Sequence, residues 1–277
     1  MKWDGVAWFP LGSGIEGQLS EVRALTVFDD GSGAALYAGG TFSLAGGLPA
    51  ENVAKWDGKH WSAVGEGIGG QIKDVNALAV FDNGSGSRLF LGGRDASFGS
   101  GESYNLASWN GLAWMAHRYS DPTVSSSAEV TSLVVLRTES GDSLYAGGYF
   151  YSYGNPPESG LAKLDGESLA IVPNAPVALA ALAEFDDGAG NALYAGGDFR
   201  FADGILSAFL ARWRCPCPHC DANADDAIDL PDYLAFWHCL DGPAVPAVSE
   251  CLNVRLDAGA YVDLRDYATF QNNFTGP

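Results

Sequence analysis

Oxygen-bearing side chains recur at short, regular intervals in Asp221-Ala222-Asn223-Ala224-Asp225-Asp226-Ala227-Ile228-Asp229-Leu230-Pro231-Asp232. They stand at positions 1, 3, 5, 9 and 12 of a twelve-residue loop, with Ile228 at position 8. A hard cation such as Ca2+ takes about six to eight oxygen ligands, and this spacing wraps them around one point. Asp221, Asn223, Asp225 and Asp232 are read as direct side-chain ligands and Ala227 as a backbone carbonyl ligand. Asp229 is read as a ligand directly or through water. Position 6 is Asp226 rather than the usual glycine, so a non-glycine residue must make the sharp bend. The plain alternative is a solvated acidic turn ahead of a capped helix. The ordered spacing and the duplication described next favour the cation.

The segment that positions this loop is repeated. Asp229-Leu230-Pro231-Asp232-Tyr233-Leu234-Ala235-Phe236 aligns with Asp263-Leu264-Arg265-Asp266-Tyr267-Ala268-Thr269-Phe270, 34 residues further on. Leu230, Tyr233 and Phe236-Trp237 recur at helical spacing, and Pro243 suits a helix stop. The second loop runs from Arg255 to Asp266 and keeps Asp257, Asp263 and Asp266. Arg255 at position 1 opposes a cation and Gly259 at position 5 supplies no side-chain oxygen, so this loop is degenerate and is not expected to be occupied.

All five cysteines, Cys215, Cys217, Cys220, Cys239 and Cys251, fall in this last part of the chain. Cys215, Cys217, His219 and Cys220, with His238-Cys239, offer nitrogen and sulfur ligands for zinc, but their spacing matches no regular zinc pattern. Disulfides within a set including Cys220, Cys239 and Cys251 are the favoured reading, because so small a domain needs staples. The odd cysteine is left free or pairs between chains. Residues 220–277 resemble the dockerin type I family, which has two calcium loops, each followed by one helix in the EF-hand-like manner. The resemblance implies a small α-helical domain that binds Ca2+ and docks to a cohesin-like protein or a cell-surface partner. The family's contact positions 10 and 11 are here Leu230-Pro231 and Leu264-Arg265, which depart from its polar pairs.

The larger part of the chain carries a different repeat. Leu36-Tyr37-Ala38-Gly39-Gly40-Thr41-Phe42 returns as Leu89-Phe90-Leu91-Gly92-Gly93, Leu144-Tyr145-Ala146-Gly147-Gly148-Tyr149-Phe150 and Leu193-Tyr194-Ala195-Gly196-Gly197-Asp198-Phe199. The double glycines are 53, 55 and 49 residues apart. A period of that size marks a repeat architecture, and an apolar run ending in two glycines reads as a strand that lets another backbone approach closely. In the first copy an apolar run Val22–Phe28 precedes it, with Asp29-Asp30-Gly31-Ser32-Gly33 as the turn. Asn52–Trp56, the turn Asp57-Gly58 and His60–Val64 follow, and Asp-Gly between two runs is a hairpin signal in which both central residues want positive φ. Each unit therefore holds four short strands, as one propeller blade does. The Asp-rich turns and the Trp pairs 3/8, 56/61 and 109/114 are read as turn chemistry and blade packing rather than as cation or sugar sites. His60 and His117 are read as ordinary surface or satisfied residues.

The fourth unit stops at Trp213, where its Asp-Gly hairpin is due, and Trp3-Asp4-Gly5 through Gly12 supplies such a hairpin. The expectation is mainly β: a four-bladed β-propeller over residues 1–213 whose last blade is closed by the N-terminal strand. A Cys/Pro linker over 214–219 and the helical domain over 220–277 follow. A start cut from a longer protein is the rival reading of that N-terminus. Residues 3–213 resemble kelch-like and cortical-marker-like propeller repeats, which implies architecture and little about activity.

The net charge of −19 argues against nucleic acid or an anionic membrane surface as partner. No apolar run reaches the length of a membrane span, and no secretory signal pattern is visible at Met1-Lys2-Trp3-Asp4. No Gly-x-Ser-x-Gly, His-Glu-x-x-His or phosphate-loop motif occurs, and no catalytic residue is singled out. The reading is a secreted or surface-attached, non-enzymatic interaction protein with a calcium-dependent docking tail. The alternatives are a polysaccharide-degrading enzyme, or a lectin-like propeller with a glycan on it, attached through the same tail.

Overall fold

A computed structural model describes residues 1–17, 20–65, 74–97, 103–120, 128–138, 141–150, 159–173, 175–186, 191–202 and 205–213. The chain divides into two units, Met1–Arg212 and Trp213–Pro277. The linker, the cation loops, the helices and the cysteines expected beyond residue 213 lie outside the described residues.

The described part is mainly β, with no helix among the described residues. A hairpin of β1 (Lys2–Trp3) and β2 (Trp8–Phe9) comes first, then β3 (Ile15–Glu16). The first repeat contains β4 (Glu21–Asp29), β5 (Ala34–Thr41), the short β6 (Leu44–Ala45) and β7 (Leu48–Pro49), β8 (Val53–Trp56) and β9 (Trp61–Ala63). The second has β10 (Asp74–Asp82), β11 (Ser87–Ser97), β12 (Ser103–Trp109) and β13 (Trp114–Tyr119). The third has β14 (Glu129–Thr138), β15 (Gly141–Phe150), β16 (Ser159–Asp165) and β17 (Ser168–Ile171). The fourth has β18 (Leu179–Asp186), β19 (Asn191–Gly197), the short β20 (Phe201–Ala202) and β21 (Ile205–Leu206), and β22 (Leu210–Trp213). Three repeats thus hold an antiparallel four-stranded order, β4-β5-β8-β9 in the first, and the fourth holds β18-β19-β22.

Local chemistry explains the turns. Asp29 Oδ1 accepts from the amides of Gly31 and Gly33, both at 2.9 Å, and Asp82 Oδ1 does the same for Gly84 at 2.8 Å and Gly86 at 3.0 Å. In the outer hairpins Asp57 Oδ1 accepts from Lys59 N at 2.7 Å and His60 N at 2.6 Å. Asp4 and Asn110 serve their hairpins in the same way. The double positive φ expected there is not what forms: Gly58 has φ 97°, while Asp57 is not in the left-handed region. A side-chain cap replaces the second left-handed residue.

Every first strand carries a bulge at the same place, between Val22 and Ala24, Val75 and Ala77, Val130 and Ser132, and Leu179 and Ala181. The second glycine of each pair lies under that bulge, so a Cβ on Gly40 or Gly148 would collide with the carbonyl of Glu21 or Glu129. The first glycine serves the neighbouring repeat. A Cβ on Gly39 would stand 2.6 Å from Val75 Cγ1. The close backbone approach expected of the double glycine is therefore present, together with a side-chain approach across repeats.

Two of the core clusters lie between repeats, and a third, around Phe42, Ala45, Ala54 and Trp61, lies within the first. One cluster joins Phe28, Tyr37 and Val53 of the first repeat to Val75, Leu89 and Leu91 of the second, with Leu78 and Val80 packed against it. A second joins Phe81, Phe90 and Leu106 to Val130, Leu144 and Leu164, with Leu133 and Val135 packed against it.

The outer hairpins are linked in register. Trp61 Nε1 donates to the Leu11 carbonyl at 2.8 Å, and Trp114 Nε1 donates to the Val64 carbonyl at 3.1 Å. The third repeat has Leu169 instead of tryptophan, and there the outer strands pair directly, Tyr119 with Leu169 in parallel. The β1–β2 hairpin forms its own two-stranded sheet and pairs with no strand of the fourth repeat among the described residues. Its tail, Leu11-Gly12, packs on Trp56 and Trp61 of the first repeat.

Candidate functional site

None of the residues read as cation ligands, Asp221, Asn223, Asp225, Ala227, Asp229, Asp232, Asp257, Asp263 and Asp266, lies among the described residues. The described part has a polar site of its own, at the beginning of the first strands. Three strand-opening acids, Glu21, Asp74 and Glu129, recur with the repeat. The residues skipped by the bulges, Arg23, Asn76 and Thr131, reach toward the next repeat because the extra residue re-aims the side chain.

Asp74 is the hub, and it is buried. Its Oδ1 takes the Arg23 guanidinium at 2.7 Å and the Thr41 hydroxyl at 2.7 Å, and its Oδ2 takes Arg94 Nη2 at 2.7 Å. Burial alone would push this carboxyl up. Arg94, Thr41 and Arg23 outweigh it and hold the pKa down at about 2. Arg23 also holds Glu21 at 3.0 Å and donates to Asn76 Oδ1 at 2.9 Å. Asn76 Nδ2 in turn donates to Glu129 Oε1 and the Val130 carbonyl, both at 3.0 Å. Thr131 Oγ1 continues the chain to the Leu179 carbonyl at 2.6 Å. One hydrogen-bonded seam thus crosses all four repeats. Beside it Ser20, Glu21, Arg23, Thr41 and Asp74 line an open cleft of about 540 Å³.

The seam's chemistry is recognition and fastening rather than proton transfer. A general acid needs a pKa near the working pH, and Asp74 is held far below it by two guanidiniums. Sequence reasoning missed Arg23, Thr41, Asp74, Asn76, Arg94 and Glu129. The signal that could have found them is the recurrence of an acid at the double-glycine period, 53 and 55 residues apart.

The other groups weighed from the sequence are consumed by the fold. Asp30 Oδ2 accepts from the Tyr37 hydroxyl at 2.8 Å and Lys55 Nζ at 2.6 Å. Burial opposes the ionised form of Asp30, but Lys55, Ser32 and Tyr37 hold its carboxyl well below the usual range. His117 is buried, stacked on Phe90 with centroids 5.3 Å apart. Its Nδ1 lies 3.0 Å from the Glu167 carbonyl, which can only accept, so Nδ1 carries the proton and Nε2 accepts from Ser108 Oγ at 2.9 Å. Burial pushes its pKa down, so the ring stays neutral. His60 is exposed at a hairpin. The tryptophan pairs share one geometry, with centroids 5.5, 5.3 and 5.2 Å apart for 3/8, 56/61 and 109/114. That repetition is packing of the hairpins. Among the described residues no group of three or more His, Cys, Asp or Glu stands together to hold a metal ion.

No family model matches the chain, and no curated protein matches it. Among solved structures it is similar to the crystal structure of the major Malassezia sympodialis allergen Mala s 1, with 21% identity and a TM-score of 0.36. The match covers 65% of this chain and 52% of that one, so the chain spans about half the length of that structure.

Proposed function

We propose a secreted or surface-attached, non-enzymatic interaction protein. Residues 3–213 are its propeller-type scaffold of four blade-like repeats, and residues 220–277 are a dockerin-like tail that docks, with Ca2+, to a cohesin-like or cell-surface partner. The observation that carries this reading is the commitment of the scaffold's reactive groups. Asp29, Asp30, Asp74, Asp82, His117 and the Trp61 and Trp114 indoles are all bonded within or between repeats. The oxygen-rich loop Asp221–Asp232 is then the best-equipped binding element of the sequence. Its donors are hard oxygens at alternating positions, which suit Ca2+ and not a soft metal. Bound Ca2+ supplies the positive charge that neutralises the clustered carboxylates. Asp221, Asn223, Asp225 and Asp232 hold the loop around that charge, and Leu230, Tyr233, Leu234 and Trp237 form the docking face on the helix that follows.

Calcium titration of the full chain, read by calorimetry, tests this. Uptake of one ion is expected, with affinity at least about 10-fold weaker in Asp225→Ala. A wild-type chain that takes up no calcium, or an Asp225→Ala chain that binds as well, ends the reading. The open cleft beside Glu21, Arg23, Thr41 and Asp74 favours a second reading, a glycan-binding or glycan-cleaving scaffold carried by the same tail. A glycan screen that reads both retention and released reducing ends separates these two cases from the first.

A further inference from the structure

The two junctions among the first three repeats are built from equivalent residues. On the donor repeat stand Phe28 and Val53, or Phe81 and Leu106, with Gly39 or Gly92 as a hollow. On the following repeat stand Val75, Leu78 and Val80, or Val130, Leu133 and Val135. A Cβ on Gly39 would meet Val75 and Leu78, and a Cβ on Gly92 would meet Val130 and Leu133. These residues are knobs from one repeat and a hole from another, set at the repeat period.

The same set exists once more in the chain, divided between its two outer repeats and uncovered in both. In the first repeat the knobs are Val22, Leu25 and Val27, exposed by 41%, 61% and 62%, where Val75 and Val130 are 0% exposed. In the fourth repeat Phe185 is 58% exposed where Phe28 and Phe81 are 4% and 8%, and Leu210 is 62% exposed where Val53, Leu106 and Leu161 are 2% or less. The hollow is present too: a Cβ on Gly196 would meet nothing nearer than the Phe209 carbonyl at 3.7 Å. Contiguous apolar surface of this kind marks an interaction site. Both faces are open to solvent at once in the same chain, so they do not cover each other.

We infer that the occupant of each face is a second copy of this chain, joined head to tail. The fourth repeat of one copy lays Phe185, Leu210 and the Gly196 hollow against Val22, Leu25 and Val27 of the next. The junction continues the internal repeat-to-repeat interface with the same side chains. It is heterologous, because the two surfaces differ, so each copy in a junction keeps its other face and a joined pair still offers one face of each kind. This inference is independent of the calcium tail.

Sedimentation of the full chain over a concentration series at about 0.15 M salt, where charge repulsion is screened within about 8 Å, tests it. The wild type is expected to rise from 29.0 kDa to at least twice that mass. Leu25→Glu and Leu210→Glu, both at exposed positions, are each expected to stay at the monomer mass with an unchanged circular-dichroism spectrum and melting midpoint. An equimolar mixture of the two variants is expected to regain a species of twice the mass, because each retains the face the other has lost. Leu112→Glu, at a hairpin residue 88% exposed, should associate like the wild type. A wild type that stays monomeric throughout, variants that associate undiminished, or a mixture that stays monomeric each overturns the head-to-tail junction.

Discussion

Phe209 holds a backbone state that suits a different residue type. Its φ is 68°, and its equivalent in the first repeat, Asn52, has φ 62°. Both sit in the same loop closure. Asn52 N donates to the Phe42 carbonyl at 3.0 Å and Phe209 N to the Phe199 carbonyl at 2.9 Å, while Gly40 N and Gly197 N donate back to Asn52 and Phe209. Asparagine suits this left-handed state, and Asn52 Oδ1 also accepts from Phe42 N at 2.8 Å. A phenylalanine there carries the left-handed penalty of about 1 kcal/mol or more without that compensation. Its ring is 57% exposed, so little packing offsets the strain. Phe209→Asn is therefore expected to stabilise the chain by about 1 kcal/mol, read as a melting midpoint raised by a few degrees. A midpoint unchanged or lowered would show that the exposed ring contributes more than the strain costs.

Between elements, the seam through Asp74 fastens the first repeat to the second. Asp74 has its pKa drawn from 3.8 to about 2. A carboxyl depressed in the folded state contributes stability that is complete above its unfolded value and disappears as pH falls through the folded one. The window is therefore from just below pH 4 down to about pH 2, and the contribution is of order 2 kcal/mol. Asp74→Asn removes the charge that Arg23 and Arg94 face, and is expected to cost about 2 kcal/mol at pH 7 and to flatten the acid limb in that window. Denaturant unfolding at about pH 7, 4 and 2.5 checks it; a variant with the wild-type acid limb would show that other carboxylates carry the acid sensitivity. The strands this seam joins were legible in the sequence, because apolar runs, Asp/Gly turns and the double glycine act locally. The seam was not legible, since it depends on a one-residue bulge that turns Arg23, Asn76 and Thr131 toward the next repeat. The Asp57 cap was misjudged for a related reason: a side-chain bond and a left-handed residue serve the same turn, and Asp-Gly fits either.

Across the whole described molecule, stability is a sum of repeats and junctions, because core clusters lie both within a repeat and between neighbours. The second repeat has a packed junction on both sides: Val75, Leu89 and Leu91 are 0% exposed against the first repeat, and Phe90 and Leu106 are 0% exposed against the third. The first and fourth repeats each have one apolar face open, with Leu25 and Leu210 exposed by 61% and 62%. Local opening needs only the contacts of the element that opens, so repeats with one junction open at lower cost than repeats with two. Native-state hydrogen exchange at dilution, with the chain monomeric, should find the amides of β11 and β15 the slowest. Those of β4 and β18 should exchange faster by at least about 10-fold, the equivalent of about 1.4 kcal/mol in opening free energy. Because β11 and β15 are paired on both sides while β4 and β18 are paired on one, the comparison that isolates the junctions is β4 against β10, whose hydrogen bonds to the next strand are equally complete. Raising the concentration into the range where copies associate should slow β4 and β18 selectively, because the head-to-tail junction covers those strands and leaves β11 and β15 as they were. Equal exchange in all four repeats at dilution would instead mean that the array opens as one cooperative unit, and that the open faces cost it nothing.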